Sequence, residues 1–169
     1  MKELAQLLNE MLSVGVIQNY ALFGAVAQMR YTEPVATMDA DLLVAVPPQK
    51  GLDILSGVYG FCSTRGFQPE GEAIKVGIWP VQFIPVFSSL TQEAMEKAEV
   101  ADFEGIPLRV VSACYLAVIA LSVGRSKDFA RVLALIESGS VTRKDISQLS
   151  ERFGLLESWK KFESRFPSE

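Results

Sequence analysis

The feature that most constrains the fold of this sequence is a continuous apolar run, Leu42-Leu43-Val44-Ala45-Val46, which follows the aspartates Asp39 and Asp41 and ends at Pro47-Pro48. A short apolar run bounded by turn residues is typical of a buried β-strand. Proline ends such a strand because it cannot donate a ladder hydrogen bond. Side chains alternate between the two faces of a strand, so Asp39 and Asp41 are expected on the same face at the strand edge.

Helical and extended patterns alternate around this run. Apolar residues at helical spacing from Leu4 to Met11 predict an amphipathic first helix that ends near Gly15. The run Tyr20–Phe23, stopped by Gly24, predicts another buried strand. The other expected elements are a helix over 25–29, a loop over 31–38, a helix from Leu52 to about Arg65, strands over 72–76 and 81–86, a helix over 91–98 and a short extended stretch around Gly105.

From residue 112 onward the sequence is helical. Ala113–Leu121 is apolar on every side, which predicts a central buried helix. Ser112 and Ser126 are candidate N-caps, and Thr142 with Asp145 fits a capping box. The order of elements predicts an α/β or α+β fold in which a sheet is followed by a C-terminal helical lobe.

Length and composition narrow the organisation and the chemistry. At 169 residues the chain suits one structural unit, with an α/β core over 1–111 and a helical lobe over 112–169 packed on it. The net charge of -4 gives no basic footprint for a nucleic-acid backbone. The sequence has no histidine, which excludes histidine-based triads and imidazole zinc sites. Cys62 and Cys114 lack CxxC spacing and are interpreted as small buried residues.

The expected location is the cytoplasm, without a membrane. The longest apolar stretch, Ala113–Leu121, is shorter than the roughly 20 residues of a membrane span. No segment has the pattern of a targeting signal.

Chemistry is suggested by Gly24 and Ala25 together with Asp39 and Asp41. Mg²⁺ prefers carboxylate oxygens and completes its shell with water and substrate phosphates. A glycine between a strand and a helix lets backbone N–H groups approach a phosphate closely. The combination predicts a metal–triphosphate cradle, although two such aspartates alone are also typical of an ordinary surface turn or strand cap.

These residues resemble the DNA polymerase beta-like nucleotidyltransferase superfamily. Its signature is an apolar residue, Gly, Gly or Ser, a gap, and Asp-apolar-Asp/Glu-apolar. Phe23-Gly24 and Asp39-Ala40-Asp41-Leu42 match, whereas Ala25 departs from the Gly/Ser position. Thr37, two residues before Asp39, is similar to the branch containing AbiEii-type abortive-infection toxins, although that branch commonly has Arg where this chain has Val35.

The resemblance continues in the C-terminal half. Gly105–Ser112, an apolar helix and then Arg125-Ser126-Lys127-Asp128 are similar to the same branch, in which Arg-x-Lys-Asp opens a helix beside the active site. The resemblance implies that Arg125, Lys127 and Asp128 border the phosphate site. A solvated, charged helix start is the alternative interpretation.

The family's fold implies a mixed sheet flanked by helices, with a third carboxylate on the strand beside the two aspartates. Sequence order places that position in Val81–Ile84, where the polar residue is Gln82. Gln82 can ligate a metal through its carbonyl oxygen but cannot act as a base. Trp79, Phe83 and Phe87 could stack on a nucleobase, but core packing is the simpler interpretation.

The leading hypothesis is an Mg²⁺- or Mn²⁺-dependent nucleotidyltransferase-like protein that binds an NTP and transfers a nucleoside monophosphate to a protein, RNA or small-molecule acceptor. Asp39 and Asp41 would hold the metal, with Gln82 beside them; Gly24, Ala25, Thr37 and Lys127 would bound the nucleotide. The alternative is a catalytically degenerate member that binds nucleotide, a protein partner or a second copy of itself, or that acts in a toxin–antitoxin pair.

Overall fold

The computed structural model describes residues 1–48 and 53–167. Helices and strands alternate in the first part of the chain, and every described element after residue 112 is a helix. The elements are α1 (Lys2–Ser13), β1 (Asn19–Phe23), α2 (Gly24–Gln28), β2 (Ala40–Ala45), α3 (Ser56–Thr64), β3 (Pro69–Glu70), β4 (Ala73–Val76), β5 (Trp79–Pro85), α4 (Ser89–Glu96), β6 (Glu99–Phe103), β7 (Ile106–Val110), α5 (Ala113–Val123), α6 (Ser126–Glu137), α7 (Arg143–Arg152) and α8 (Leu156–Arg165).

The strands of the described residues form one mixed sheet in the order β3-β4-β5-β2-β1-β7-β6. β2 is antiparallel to β1 and parallel to β5, and β1 is parallel to β7. Because β2 lies inside the sheet and is covered on both faces, Leu42, Leu43 and Val44 have no exposed surface. The expected mixed α/β fold is confirmed.

Helices cover the sheet and share one hydrophobic core with it. Leu4, Leu8 and Met11 are buried on one side of α1, as the helical spacing predicts. Relative to exposure, burying one such side chain stabilises the fold by about 1.5–3 kcal/mol. α5 is buried on all sides between the sheet and the later helices, with Ala113 and Tyr115–Leu121 all buried. No helix in the described residues is long and apolar enough to cross a membrane.

Four local expectations need correction. The stretch around Gly105 is a hairpin of β6 and β7, because β6 gains its ladder hydrogen bonds from β7 despite an exposed and polar sequence. β3 was not expected. Arg125, not Ser126, occupies the N-cap of α6. Ser112 does occupy the N-cap of α5, as expected, although its side chain makes no capping hydrogen bond there. The helix expected from Leu52 begins only at Ser56, because residues 53–55 are not helical; Leu52 itself lies outside the described residues. The capping box of Thr142 and Asp145 is present.

Candidate functional site

The two aspartates stand at the start of β2, in the middle of the sheet. Asp41 is the second residue of β2 and Asp39 directly precedes the strand. Asp41 lies opposite Phe23 of β1 and opposite Gln82 of β5. Because directly opposed strand residues project from the same face, Asp41 and Gln82 share a face of the sheet.

Gly24 makes room for the Asp41 carboxylate. It follows β1 directly and has a φ of +70°, a left-handed conformation that disfavours side chains. A Cβ atom at this position would stand 2.3 Å from Oδ2 of Asp41, which is closer than any van der Waals contact allows. The strand-to-helix turn therefore requires glycine both for its backbone and for its neighbour.

Asp39 is held from two directions. The side-chain nitrogen Nε2 of Gln82 donates a hydrogen bond of 2.9 Å to Oδ2 of Asp39. The hydroxyl of Thr37 donates to the backbone carbonyl of Asp39 over 3.1 Å. An ionised carboxylate only accepts hydrogen bonds, so it selects the nitrogen end of the amide and turns the Gln82 carbonyl oxygen away.

The charge of the Asp41 carboxylate is not fully compensated by its neighbours. Burial, and then the charge of Asp39, raise the pKa of the Asp41 carboxyl above its usual range. Arg131, Lys127 and Arg125 act in the opposite direction without cancelling this shift. An uncompensated, partly buried carboxylate beside a second one is the environment that a bound cation relieves.

The positively charged side chains of the site lie at the N-cap and in the first turns of α6. Burial opposes ionisation of Asp128, but its hydrogen bonds with Arg125 prevail and hold the pKa of its carboxyl below the usual range. The Nε and Nη2 atoms of Arg125 donate to the two carboxylate oxygens of Asp128 over 2.7 and 3.2 Å. Because Asp128 is 1% exposed, it acts as a structural anchor that orients Arg125. Lys127 lies in the same turn, is exposed and lines the cleft described below.

Sequence reasoning missed Arg131 and Gln28. The Arg131 side chain is only 17% exposed and lies 3.8 Å from Oδ1 of Asp128. Its Nε donates a hydrogen bond of 3.1 Å to Oε1 of Gln28, which is buried on α2. Burial lowers the pKa of Arg131, so the guanidinium favours a second negative partner in the cleft. The spacing of four residues from Lys127 could have placed Arg131 on the same helical face.

The residues surround a cleft of about 690 Å³, within the range of small-molecule sites. The sequence-predicted site residues in its lining are Gly24, Ala25, Thr37, Asp39, Asp41, Arg125, Lys127 and Asp128. Gln82 is not part of this lining and reaches it only through Asp39.

Aliphatic side chains, and none of the three aromatic residues considered for base stacking, complete the cleft. Val35, Met38 and Val123 are among its lining residues, and Met38 is 88% exposed at the rim. Phe83 instead packs in the core, with its ring centroid 6.5 Å from that of Tyr59. Trp79 and Phe87 do not line the cleft either.

Solved structures with this architecture share little sequence with the chain. An antigenic nucleotidyltransferase-like protein from Paracoccidioides brasiliensis aligns over 99% of this chain and 98% of its own, with a TM-score of 0.57 and 14% identity. The chain has a nucleotidyltransferase-like fold. The antibiotic-resistance factor ANT(2'')-Ia aligns over 95% of this chain and 96% of its own, with a TM-score of 0.52 and 13% identity. No protein-family model and no curated protein sequence matches the chain.

The donor set of this nucleotidyltransferase-like fold suits one divalent cation. Asp39 and Asp41 provide two carboxylates, and the space that Gly24 leaves open keeps Asp41 in place. Mg²⁺ commonly takes one or two protein carboxylates and completes its shell with water and substrate phosphates. Among the described residues no group of three or more His, Cys, Asp or Glu could hold a metal. The neutral Gln82, which donates to Asp39, adds no third carboxylate to this pair.

Proposed function

We propose that the chain binds a nucleoside triphosphate together with one divalent cation in the cleft of about 690 Å³, called the first cleft below, and transfers the nucleoside monophosphate to an acceptor. The observation that carries this proposal is that two walls of the cleft carry opposite charges. Asp39 and Asp41 project from the sheet, while Arg125, Lys127 and Arg131 of α6 line the same cleft. A metal-bound triphosphate needs both signs of charge at once.

Different residues of the cleft would contact different parts of the metal-bound nucleotide. Asp39 and Asp41 would hold the cation, which when bound would neutralise charge on the phosphates. Lys127 and Arg131 would contact phosphate oxygens, with Arg131 oriented by Gln28 and Asp128. Gly24 and Ala25 would let the backbone of the turn approach the phosphates, while Thr37 fixes Asp39. The aliphatic residues at the rim would cover the apolar faces of the base.

Transfer is a displacement at the α-phosphorus. The acceptor hydroxyl oxygen forms a bond to the α-phosphorus, while the bond between the α-phosphorus and the α,β-bridging oxygen breaks. The electron pair leaves with pyrophosphate, and the hydroxyl proton passes to water. Gln82 cannot accept that proton, so the chain contributes mainly by orienting the reactants and balancing charge.

Nucleotide binding without transfer is the second candidate function. The hydrogen bond from Gln82 to Asp39 favours it, because a neutral amide stands where a third carboxylate would hold a second cation and accept a proton. At an effective dielectric near 20, a missing charge about 4 Å from a cation costs about 4 kcal/mol per unit of cation charge. Even half of that value slows a chemical step by more than tenfold.

Incubation with each α-labelled NTP and Mg²⁺ or Mn²⁺ separates the two functions. Label recovered on protein, RNA or a small molecule, together with release of pyrophosphate, would support transfer. Metal-dependent binding without labelled product would support the second candidate. Absence of binding for all four NTPs with both metals would contradict both.

Assignment to the branch containing AbiEii-type toxins stays a prediction. The Thr37-x-Asp39-x-Asp41 pattern and the Lys127-Asp128 pair support it. Growth arrest on production of the chain, lost in the Asp39→Asn/Asp41→Asn variant, would support a toxin; unaffected growth with confirmed production would count against it.

A further inference from the structure

A pocket of about 310 Å³, which we call the rear pocket, lies on the opposite face of the sheet from the first cleft. Successive residues of β1 show the separation, because Leu22 lines the rear pocket and Phe23 lines the first cleft. Side chains alternate between the two faces of a strand. Leu22 lies opposite Val110 of β7, and Leu108 of β7 lies opposite Ala101 of β6, so these apolar residues share the rear face.

The charged residues of the rear pocket are paired or directed away from it. Among the described lining residues only Arg30 and Asp102 carry a charge. Nη2 of Arg30 lies 3.4 Å from Oε2 of Glu99. Asp102 alternates with the β6 residues that face the pocket, and its Oδ1 accepts a hydrogen bond of 3.1 Å from the backbone N–H of Gly105. The lining therefore favours an uncharged ligand, because a charge would lose its hydration without gaining a free partner.

The volume of the rear pocket sets the size of that ligand. An apolar cavity of roughly 150 Å³ binds benzene, so the rear pocket has room for about two fused rings. Trp79 and Phe103 contribute aromatic rings to its wall, and aromatic side chains attract other rings.

α2 is the wall that the two cavities share. Gly24 and Gln28 line the first cleft, whereas Val26 and Ala27 line the rear pocket. α2 has five residues, and so short a helix depends on packing for its stability. A ligand against Val26 and Ala27 would stabilise the turn that holds Gly24 beside Asp41.

We propose that the rear pocket binds an uncharged molecule of about two fused rings, which stabilises α2 and strengthens metal–nucleotide binding in the first cleft. The regulatory part of this inference rests on the proposed function. Both ligands require α2 in the same position, so each should tighten the binding of the other by the same factor.

Titration of ¹⁵N-labelled protein with indole tests the site by NMR. The chain has two tryptophans; Trp79 lines the rear pocket, whereas Trp159 is buried in α8. The side-chain N–H signal of Trp79, identified with Trp79→Phe, should shift while that of Trp159 stays constant. Tryptamine and indole-3-acetate add a positive or a negative group to the same rings and should bind at least about threefold more weakly.

Two neighbouring substitutions in β6 locate the binding. Ala101→Phe places a ring in the rear pocket and should abolish indole binding; Ala101→Leu replaces it if the larger variant does not fold. Val100→Phe adds the same ring one residue earlier, where the side chain is exposed and projects from the other face, and should leave the affinity unchanged.

Hydrogen exchange measures the effect on α2 without nucleotide. The amides of Arg30 and Tyr31 close the end of α2 by donating to the carbonyls of Ala27 and Gln28 over 3.1 and 2.8 Å. At ten times the Kd of indole they should exchange about tenfold more slowly, because indole binds only the folded helix. The amide of Gly154, at the end of α7, is the control. With Mg²⁺ and a non-transferable NTP analogue bound, indole should bind at least about fivefold more tightly.

The outcomes separate this inference from the proposed function. An unchanged Trp79 signal, or equal affinity for a charged probe, would overturn the proposed site. A Trp79 signal that shifts with protein concentration instead of with indole would assign the pocket to a second copy of the chain and also overturn it. Unchanged exchange in α2, or equal indole affinity with and without bound analogue, would overturn the regulatory role. Failure of the analogue to bind would contradict the proposed function, while the titration and exchange without nucleotide would still decide whether the rear pocket binds indole and stabilises α2.

Discussion

The side-chain nitrogen Nε2 of Gln82 lies 2.9 Å from Oδ2 of Asp39, across two parallel strands of the central sheet. The contact replaces an acid with a neutral donor at the position where the resemblance to nucleotidyltransferases implies a third carboxylate. We therefore expect this pair to decide between the two proposed functions, nucleotide binding and nucleotidyl transfer.

Replacing Gln82 with glutamate should make the fold more responsive to metal. In Gln82→Glu two carboxylates meet at hydrogen-bond distance, so without metal they repel and the melting temperature should fall. Mn²⁺ or Mg²⁺ should reverse this repulsion, so the variant should gain more thermal stability from metal than the parent gains. Melting curves with and without each metal measure the difference.

Gln92→Glu is the matched control for this substitution. Gln92 also donates its side-chain nitrogen to a carboxylate, that of Glu96, but on the exposed surface of α4. Its metal response should equal that of the parent. If Gln82→Glu behaves like Gln92→Glu, Gln82 does not face the metal.

Gly24→Ala should disable the site, whereas Gly15→Ala should not. Both glycines have a positive φ, so each variant should lose about 1–2 kcal/mol of stability from backbone conformation, and for a chain of this size about 2–4 °C in melting temperature per kcal/mol. Only at Gly24 would the new Cβ meet Asp41, because Gly15 has open space. Calorimetric titration with Mn²⁺ and NTP should show binding lost in Gly24→Ala alone; equal affinities would mean that the Asp41 position is not critical.

Lys127→Ala should weaken triphosphate binding more than nucleoside binding. A charge-assisted contact contributes about 1.5–3 kcal/mol, which corresponds to about tenfold to a hundredfold in affinity. A nucleoside lacks the phosphates and should be unaffected. Lys144→Ala, on α7, serves as the control because Lys144 does not line the cleft. Small, equal losses for both ligands would assign Lys127 to a solvated helix surface.

Glu93→Gln should reduce stability at neutral pH and lose this effect in acid. Hydrogen bonds from Tyr115, Arg152 and Lys97 hold the pKa of the Glu93 carboxyl at about 2, below its ordinary 4.5. The carboxylate therefore stabilises the folded state above about pH 4.5, and this contribution is lost as the pH falls towards about 2. Urea midpoints for parent and variant should differ at pH 7 and converge near pH 2.

Glu96→Gln, on the same helix, is the comparison for Glu93→Gln. Its carboxylate is exposed and, among the side chains that the structure describes, accepts a hydrogen bond from Gln92 alone. The urea midpoint of this variant should therefore follow that of the parent at every pH. A constant difference between parent and Glu93→Gln from pH 7 to pH 2 would contradict the proposed role of the ionised carboxylate.

Much of the fold could be predicted because the central elements are strongly patterned. The apolar runs of β1 and β2 and the uniformly apolar α5 leave few alternatives for their positions. β6 could not be predicted in the same way, because its Glu-Val-Ala-Asp-Phe sequence lacks a buried face and depends on pairing with β7. An edge strand is formed by its neighbour as much as by its own residues.

The candidate site, like the fold, could be predicted from the sequence only in part. The spacing of Asp39 and Asp41 predicts their shared face, and the family resemblance together with the order of the strands implied Gln82 beside them, where the structure has it. The contact between Arg131 and Gln28 joins residues 103 positions apart on two helices, so no local pattern could reveal it. Arg125 at an N-cap was also unexpected, because its side chain replaces the usual small polar cap by pairing with Asp128.

The central claim is that Asp39 and Asp41 hold a cation that carries a nucleoside triphosphate. Isothermal titration of the four NTPs, with Mn²⁺ and with EDTA, tests it on the parent and on Asp39→Asn/Asp41→Asn. The variant should fold as stably as the parent, because asparagine can still accept from Gln82 and the penalty on the buried Asp41 charge disappears. The account predicts metal-dependent binding to the parent and none to the folded variant. The same metal and nucleotide affinity in both proteins would contradict it.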